Sequence, residues 1–238
     1  MTRTHADALR WSREGAQLFL AALARLGDDE LALPTALDGW TGKHLTAHVA
    51  ANADALRNLV HWARTGEETP MYSSTEQRGA DIEAGAQRPA GELRDWARSS
   101  ALALDEDLST LDDEQWGHEV RTAQGRTVPA TEVPWMRARE VMVHAVDLGA
   151  GVRFDDLPLD FLAALVDDIV GKRSSDPTGP AVTLKATDTG TTWSLPGPGT
   201  PTEVTGMLAD LTAYLSGRSP HDVRDADGAP APELPRWL

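Results

Sequence analysis

The chain of 238 residues contains no cysteine. That absence excludes disulfides, thiolate-ligated metal sites and a nucleophilic thiol of the protein's own. No apolar run approaches the ~18 residues that would span a bilayer. The first residues, Met1-Thr2-Arg3-Thr4-His5-Ala6-Asp7, have no apolar signal core either, so a cytoplasmic protein is expected. Positive charge is in deficit: 22 Lys and Arg against 37 Asp and Glu leave a net charge of −15. No basic patch offsets that excess, which argues against nucleic acid as a partner. The same field repels small anions, so an acidic substrate needs a specific arginine to hold it. There is no internal repeat, and the length suits one large domain or two small ones.

What is present reads first as long helices. Residues 4–26 form one, with Leu9, Phe19, Leu20, Leu23 and Leu26 on an apolar face and Gly27-Asp28 as the stop. Thr41 is a suitable N-cap for a second over 42–64, apolar at Leu45, Val49, Leu56, Leu59 and Val60. Residues 65–89 are polar and rich in turn formers, with helix expected only over 75–84. A third long helix spans 90–108, and 119–122 with 126–128 read as a short hairpin around Gly125. Pro134 stands near the start of a fourth helix that ends at Gly149 to Gly151.

Composition shifts after residue 151. An amphipathic helix over 158–171 is followed by strands at 181–187, 191–195 and 202–204 and a helix over 207–215. The Pro- and Asp-rich tail from Ser219 is expected to be irregular, pinned by Trp237. The fold class is therefore mainly α: a four-helix bundle over 1–151 and a small α+β domain, a sheet with helices, over 152–238.

The fourth helix carries the chemistry. In Arg137-Ala-Arg-Glu140-Val-Met-Val-His144-Ala-Val-Asp147-Leu148, four polar residues recur at helical spacing among Val141, Met142, Val143 and Val146. A carboxylate and an imidazole in such surroundings are costly to bury without a partner, and a divalent metal would be one. Glu140 and His144 alone are a common surface pair. His48, among the small residues Ala47, Val49, Ala50 and Ala51 of the second helix, would complete two imidazoles and a carboxylate, an open catalytic set. His44 lies four residues before His48, so His44-x-x-x-His48 competes as a metal pair. Arg137 and Asp147 suit either an ion-pair network or the support of Glu140 and His144. His61 reads as a surface residue, and His5, His118 and His221, near termini or turns, as exposed. Arg218, just past a helix end, reads as a capping cation.

Together, Gly39-Trp40-Thr41, His48, Arg137-x-x-Glu140-x-x-x-His144-x-x-Asp147-Leu148 and Leu215-Ser216-Gly217-Arg218 resemble the mycothiol-dependent maleylpyruvate isomerases over nearly the whole chain. The resemblance implies a DinB-like metal-binding bundle joined to a small α+β domain. It implies zinc held by His48, Glu140 and His144, mycothiol as the thiol cofactor, and a contribution to activity from Arg218, which would also meet the cofactor or substrate. His44 then falls outside the triad, as a pocket residue where relatives often carry an acid. The implied reaction converts maleylpyruvate to fumarylpyruvate in gentisate breakdown, by thiolate addition, bond rotation and elimination. The partners are a small dicarboxylate and a small thiol, and the protein is expected to be a monomer. Two other readings share these residues: a different thiol-dependent transfer or detoxification reaction, and a non-catalytic ligand-binding module that would hold no tight metal.

Overall fold

A computed structural model describes every residue except Met1, Thr2, Asp176, Pro177, His221, Arg236 and Leu238. The chain divides into two compact units, one of residues 3–152 and one beginning at Arg153.

In the first unit, helix α1 (His5–Leu23) begins at Thr4, whose hydroxyl accepts from the Asp7 N–H while the Asp7 carboxylate accepts from the Thr4 N–H. This reciprocal box satisfies two of the donors that a helix start leaves open. Its buried face is Ala8, Trp11, Gly15, Phe19 and Ala22, whereas Leu9 and Leu20 are only half-buried. Trp11 turns the stripe, because it packs edge-on against Trp135 at 5.8 Å between ring centroids. The helix ends before Gly27, which instead caps a one-turn helix α2 (Asp28–Leu31).

Helix α3 (Gly42–Thr65) starts at Thr41 and stops at Gly66, whose φ of 76° suits a residue without a Cβ. Then come α4 (Thr75–Ala86), α5 (Ala90–Ser109) and the one-turn α6 (Asp113–Trp116). The hairpin of β1 (Glu119–Arg121) and β2 (Thr127–Pro129) pairs Val120 with Val128. Helix α7 (Val133–Asp147) has proline in its first turn, where the missing N–H costs nothing.

Helix α1 packs on α5 and α7, and α3 packs on the same two, so the four long helices close a ring. Helix α4 lies against α3. Two glycines let helices touch backbone to side chain. A Cβ at Gly15 would stand 2.5 Å from Val141 Cγ2, and one at Gly85 would stand 2.8 Å from the Cβ of Ala47. The second contact seats α4 beside the residue that precedes His48. Phe19, Leu23, Leu45, Val49, Leu93 and Val141 interlock in the ring's interior. Each side chain of this size, fully buried, contributes roughly 1.5–3 kcal/mol.

The second unit joins α8 (Leu159–Ser175), β3 (Val182–Ala186), β4 (Thr192–Leu195), β5 (Thr202–Gly206), α9 (Leu208–Leu215) and β6 (Arg224–Asp225). The sheet order is β4-β3-β5-β6, with β3 and β5 parallel and the other pairs antiparallel. Val182, Leu184, Trp193, Leu195 and Val204 turn to the covered face. The Trp193 Nε1–H donates to Asp167 on α8 at 2.7 Å, tying strand to helix. The tail is not wholly irregular, because β6 adds a two-residue edge to β5. Trp237 is buried.

Candidate metal centre

The small side chains Ala47, Val49 and Ala50 keep α3 slim around His48, and α7 packs beside it. His48 is buried, at 4% exposure. Its Nε2 lies 2.8 Å from Oε2 of Glu140, and the Nε2 of His144 lies 3.3 Å from the same oxygen. The two imidazoles stand edge to face, 5.0 Å apart at an interplanar angle of 85°. One ligand atom from each of His48, Glu140 and His144 lies within 4.8 Å of the others. Among the described residues no other three histidine or acidic side chains converge in this way.

The far ring nitrogens differ. Nδ1 of His144 donates to Oδ2 of Asp147 at 2.8 Å, while Nδ1 of His48 accepts from the Arg78 guanidinium at 3.3 Å. Asp147 is itself buried, with 1% of its side chain exposed. Trp40 lies over His48 at 5.2 Å between ring centroids.

The charges follow from these contacts. Burial pushes the Glu140 carboxyl upward, yet the hydrogen bonds and charge of His144 and His48 outweigh it and hold the group well below the ordinary carboxylate range. Burial pushes the His144 ring down, but hydrogen bonds to Asp147 and Glu140 raise it to about 9. For His48 burial wins over Glu140, so its ring is less basic than usual.

Two imidazole nitrogens and a carboxylate oxygen are a donor set that fits zinc and similar divalent ions, with coordination positions left open. The Asp147 bond fits as well, because it fixes the tautomer of His144 so that Nε2 faces the cluster.

The remaining candidates lie elsewhere. Nδ1 of His44 receives the N–H and hydroxyl of Thr41 at 3.3 and 2.8 Å, and its Nε2 faces Glu83 at 3.4 Å. The imidazole thus takes the place of a glutamate in the capping box of α3 and turns away from His48. Arg137, expected beside Glu140, instead donates to the carbonyl of Val49 at 2.7 Å and to Asn52 at 2.9 Å. It is buried on all sides, and burial lowers it to about 10 while Glu140 opposes the shift. His61 faces Glu67 at 3.9 Å on the surface. His118 is exposed, with Nδ1 bonded to the Ala63 carbonyl, and His5 is half-buried against Trp116. His221 lies outside the described residues. Arg218, in the second unit, donates to the carbonyl of Ser216 at 2.7 Å, at the end of α9.

Two residues beside the triad had no sequence signal. Arg78 and Tyr72 belong to the polar stretch before and within α4, where an arginine among Glu, Gln and Asp carries no periodic mark. Only the seating of α4 on α3 places Arg78 against His48.

Residues 4–149 match the family model for the mycothiol maleylpyruvate isomerase N-terminal domain, and residues 156–236 match the model for its C-terminal domain. The chain belongs to the mycothiol maleylpyruvate isomerase family. Among solved structures, a mycothiol-dependent maleylpyruvate isomerase shares 40% identity with it, with all of both chains covered and a TM-score of 0.95. A histidine-to-alanine mutant of such an isomerase shares 39% identity, again over all of both chains, with a TM-score of 0.95. Among curated proteins, none matches this chain. The two family domains account for the helical bundle and the α+β unit alike. No helix among the described residues is long and apolar enough to cross a membrane.

Proposed function

We propose that the protein is a zinc- and mycothiol-dependent isomerase that turns the cis double bond of maleylpyruvate into the trans bond of fumarylpyruvate, after ring cleavage in gentisate breakdown. The observation that carries this reading is the convergence of His48, Glu140 and His144 in a chain alike, end to end, to a mycothiol-dependent maleylpyruvate isomerase. It acts in the cytoplasm, where small thiols are kept reduced.

His48, Glu140 and His144 would hold the metal, which when bound supplies the positive charge that favours a thiol as thiolate and polarises a substrate oxygen. Mycothiol supplies a soft nucleophile that the cysteine-free chain lacks, suited to reversible addition to a conjugated alkene with free rotation in between. The protein's own groups prepare that chemistry. Asp147 keeps the proton of His144 on Nδ1 and leaves Nε2 toward the cluster. Trp40 keeps water from one side of His48. Arg218 takes a substrate carboxylate in its planar fork and stabilises the negative charge that builds on the substrate during addition.

The test is turnover of maleylpyruvate with and without mycothiol, on protein of known zinc content, with an electrophile such as a haloalkane offered in parallel. Isomerisation only with the thiol is expected. Isomerisation in a thiol-free preparation sinks the addition scheme, and S-conjugation of the electrophile without isomerisation assigns the protein to a transfer reaction instead. In the same assay Arg218→Lys keeps the charge but loses the fork, and wild-type turnover there rejects the clamp.

A further inference from the structure

A cleft of about 270 Å³ opens in the helical unit beside the triad, and its walls include Trp62, Met71, Tyr72, Arg78 and Arg121. Its two cations differ. Arg121 sits at the exposed rim and is paired with Glu68 at 3.4 Å. Arg78 is half-buried and, among the described residues, makes no ion pair. Its contacts are Nδ1 of His48 at 3.3 Å and the Tyr72 ring, 5.7 Å from the guanidinium carbon.

Arg78 therefore meets no carboxylate in a chain whose acidic residues outnumber the basic ones by 15. A guanidinium held partly out of water beside an imidazole and a phenol has donors left over for an anion, because neither of these neighbours is a carboxylate. Tyr72 adds a second donor. Its hydroxyl is pushed up by burial, against the pull of Arg78, so it stays protonated and able to donate. Trp62 and Met71 supply apolar wall, which suits the carbon chain of an unsaturated acid better than a hydrated inorganic ion. Arg78 is also the residue common to the cleft lining and to the contacts of His48, so an anion on it would lie next to the triad.

We propose that Arg78, assisted by the Tyr72 hydroxyl, is a carboxylate seat of the active site, holding one end of the diacid substrate beside the metal triad. This rests on the isomerase reading, in which the substrate carries two carboxylates. Arg78 takes one of them and contributes to the choice of a diacid over a monoacid. A guanidinium met by a carboxylate gains charge-assisted bonds that a hydrated cation on the surface would not.

Maleate is a suitable probe, being a short cis-unsaturated diacid. Its binding to the zinc-loaded protein is measured by calorimetry for wild type, Arg78→Met, Arg78→Lys and Tyr72→Phe, with zinc content read for each. The expected result is a Kd raised about tenfold or more in Arg78→Met, and less in the other two, at unchanged zinc content. With maleylpyruvate, KM is expected to rise more than kcat falls. Equal maleate affinity in wild type and Arg78→Met overturns the seat, as does a wild-type protein that binds no maleate. Should Arg78→Met not fold, the Arg78→Lys and Tyr72→Phe affinities decide by the same criterion. Failure of the isomerase reading is seen separately, as absent maleylpyruvate turnover by wild type, and does not alter what the maleate affinities say about the seat.

Discussion

Helix α7 buries polar groups in two places, and they are built on opposite plans. At Arg137 the guanidinium is met by a carbonyl and an amide oxygen of α3, so donors face acceptors and the cluster is closed. One turn further on, Glu140 and His144 meet His48 around a single carboxylate oxygen, with groups that are all electron-pair donors once deprotonated. A closed cluster holds two helices together and needs nothing else. An open one concentrates lone pairs at one point and calls for a cation. Both join α7 to α3, so position in the fold does not separate them; complementarity does.

The contrast can be broken by substitution, most severely at the open cluster. His48→Ala removes one of the three proposed ligands, so metal retention and isomerase activity are both expected to fall by more than the ~10–100-fold typical of groups that only orient a ligand. Full metal occupancy by elemental analysis would remove His48 from the ligand set. Arg137→Met is the matching change at the closed cluster. It strands the Val49 carbonyl and the Asn52 amide oxygen, so urea unfolding should show a loss of about 2–3 kcal/mol with zinc stoichiometry unchanged. Metal loss without a stability change would show that Arg137 serves the triad after all. Asp147→Asn is subtler, since the ring bond survives in weakened form. Zinc affinity in a competitive chelator titration is expected to drop about tenfold, at the lower end of such effects. An unchanged affinity would leave the Asp147 bond a purely structural link.

Sequence pattern reaches the long helices because their apolar stripes repeat over many turns. It does not reach α2, α6 or β6, which are too short to show a period. The choice between His44 and His48 is illegible from spacing, since both lie on one side of the same helix. It turns on the Thr41 hydroxyl, which draws His44 into a cap. Glu140 and His144 stand out because a polar pair in an apolar helix is conspicuous. Arg78 does not, because in a polar helix another arginine is ordinary, and its meaning comes from a neighbour 30 positions away. The same holds for Arg137, read as a partner of Glu140 three residues on but bonded across the bundle to Val49 and Asn52.

The triad spans 92 positions of chain between His48 and Glu140. In an unfolded chain those side chains have no fixed distance, so an ion held by both helices binds the folded state alone. Free metal then acts as a thermodynamic ballast: a hundredfold excess over its dissociation constant adds about 2.7 kcal/mol to the folded state. The melting temperature would rise with the supply of the ion, and after chelation the Arg137 cluster alone would carry the polar link between α3 and α7.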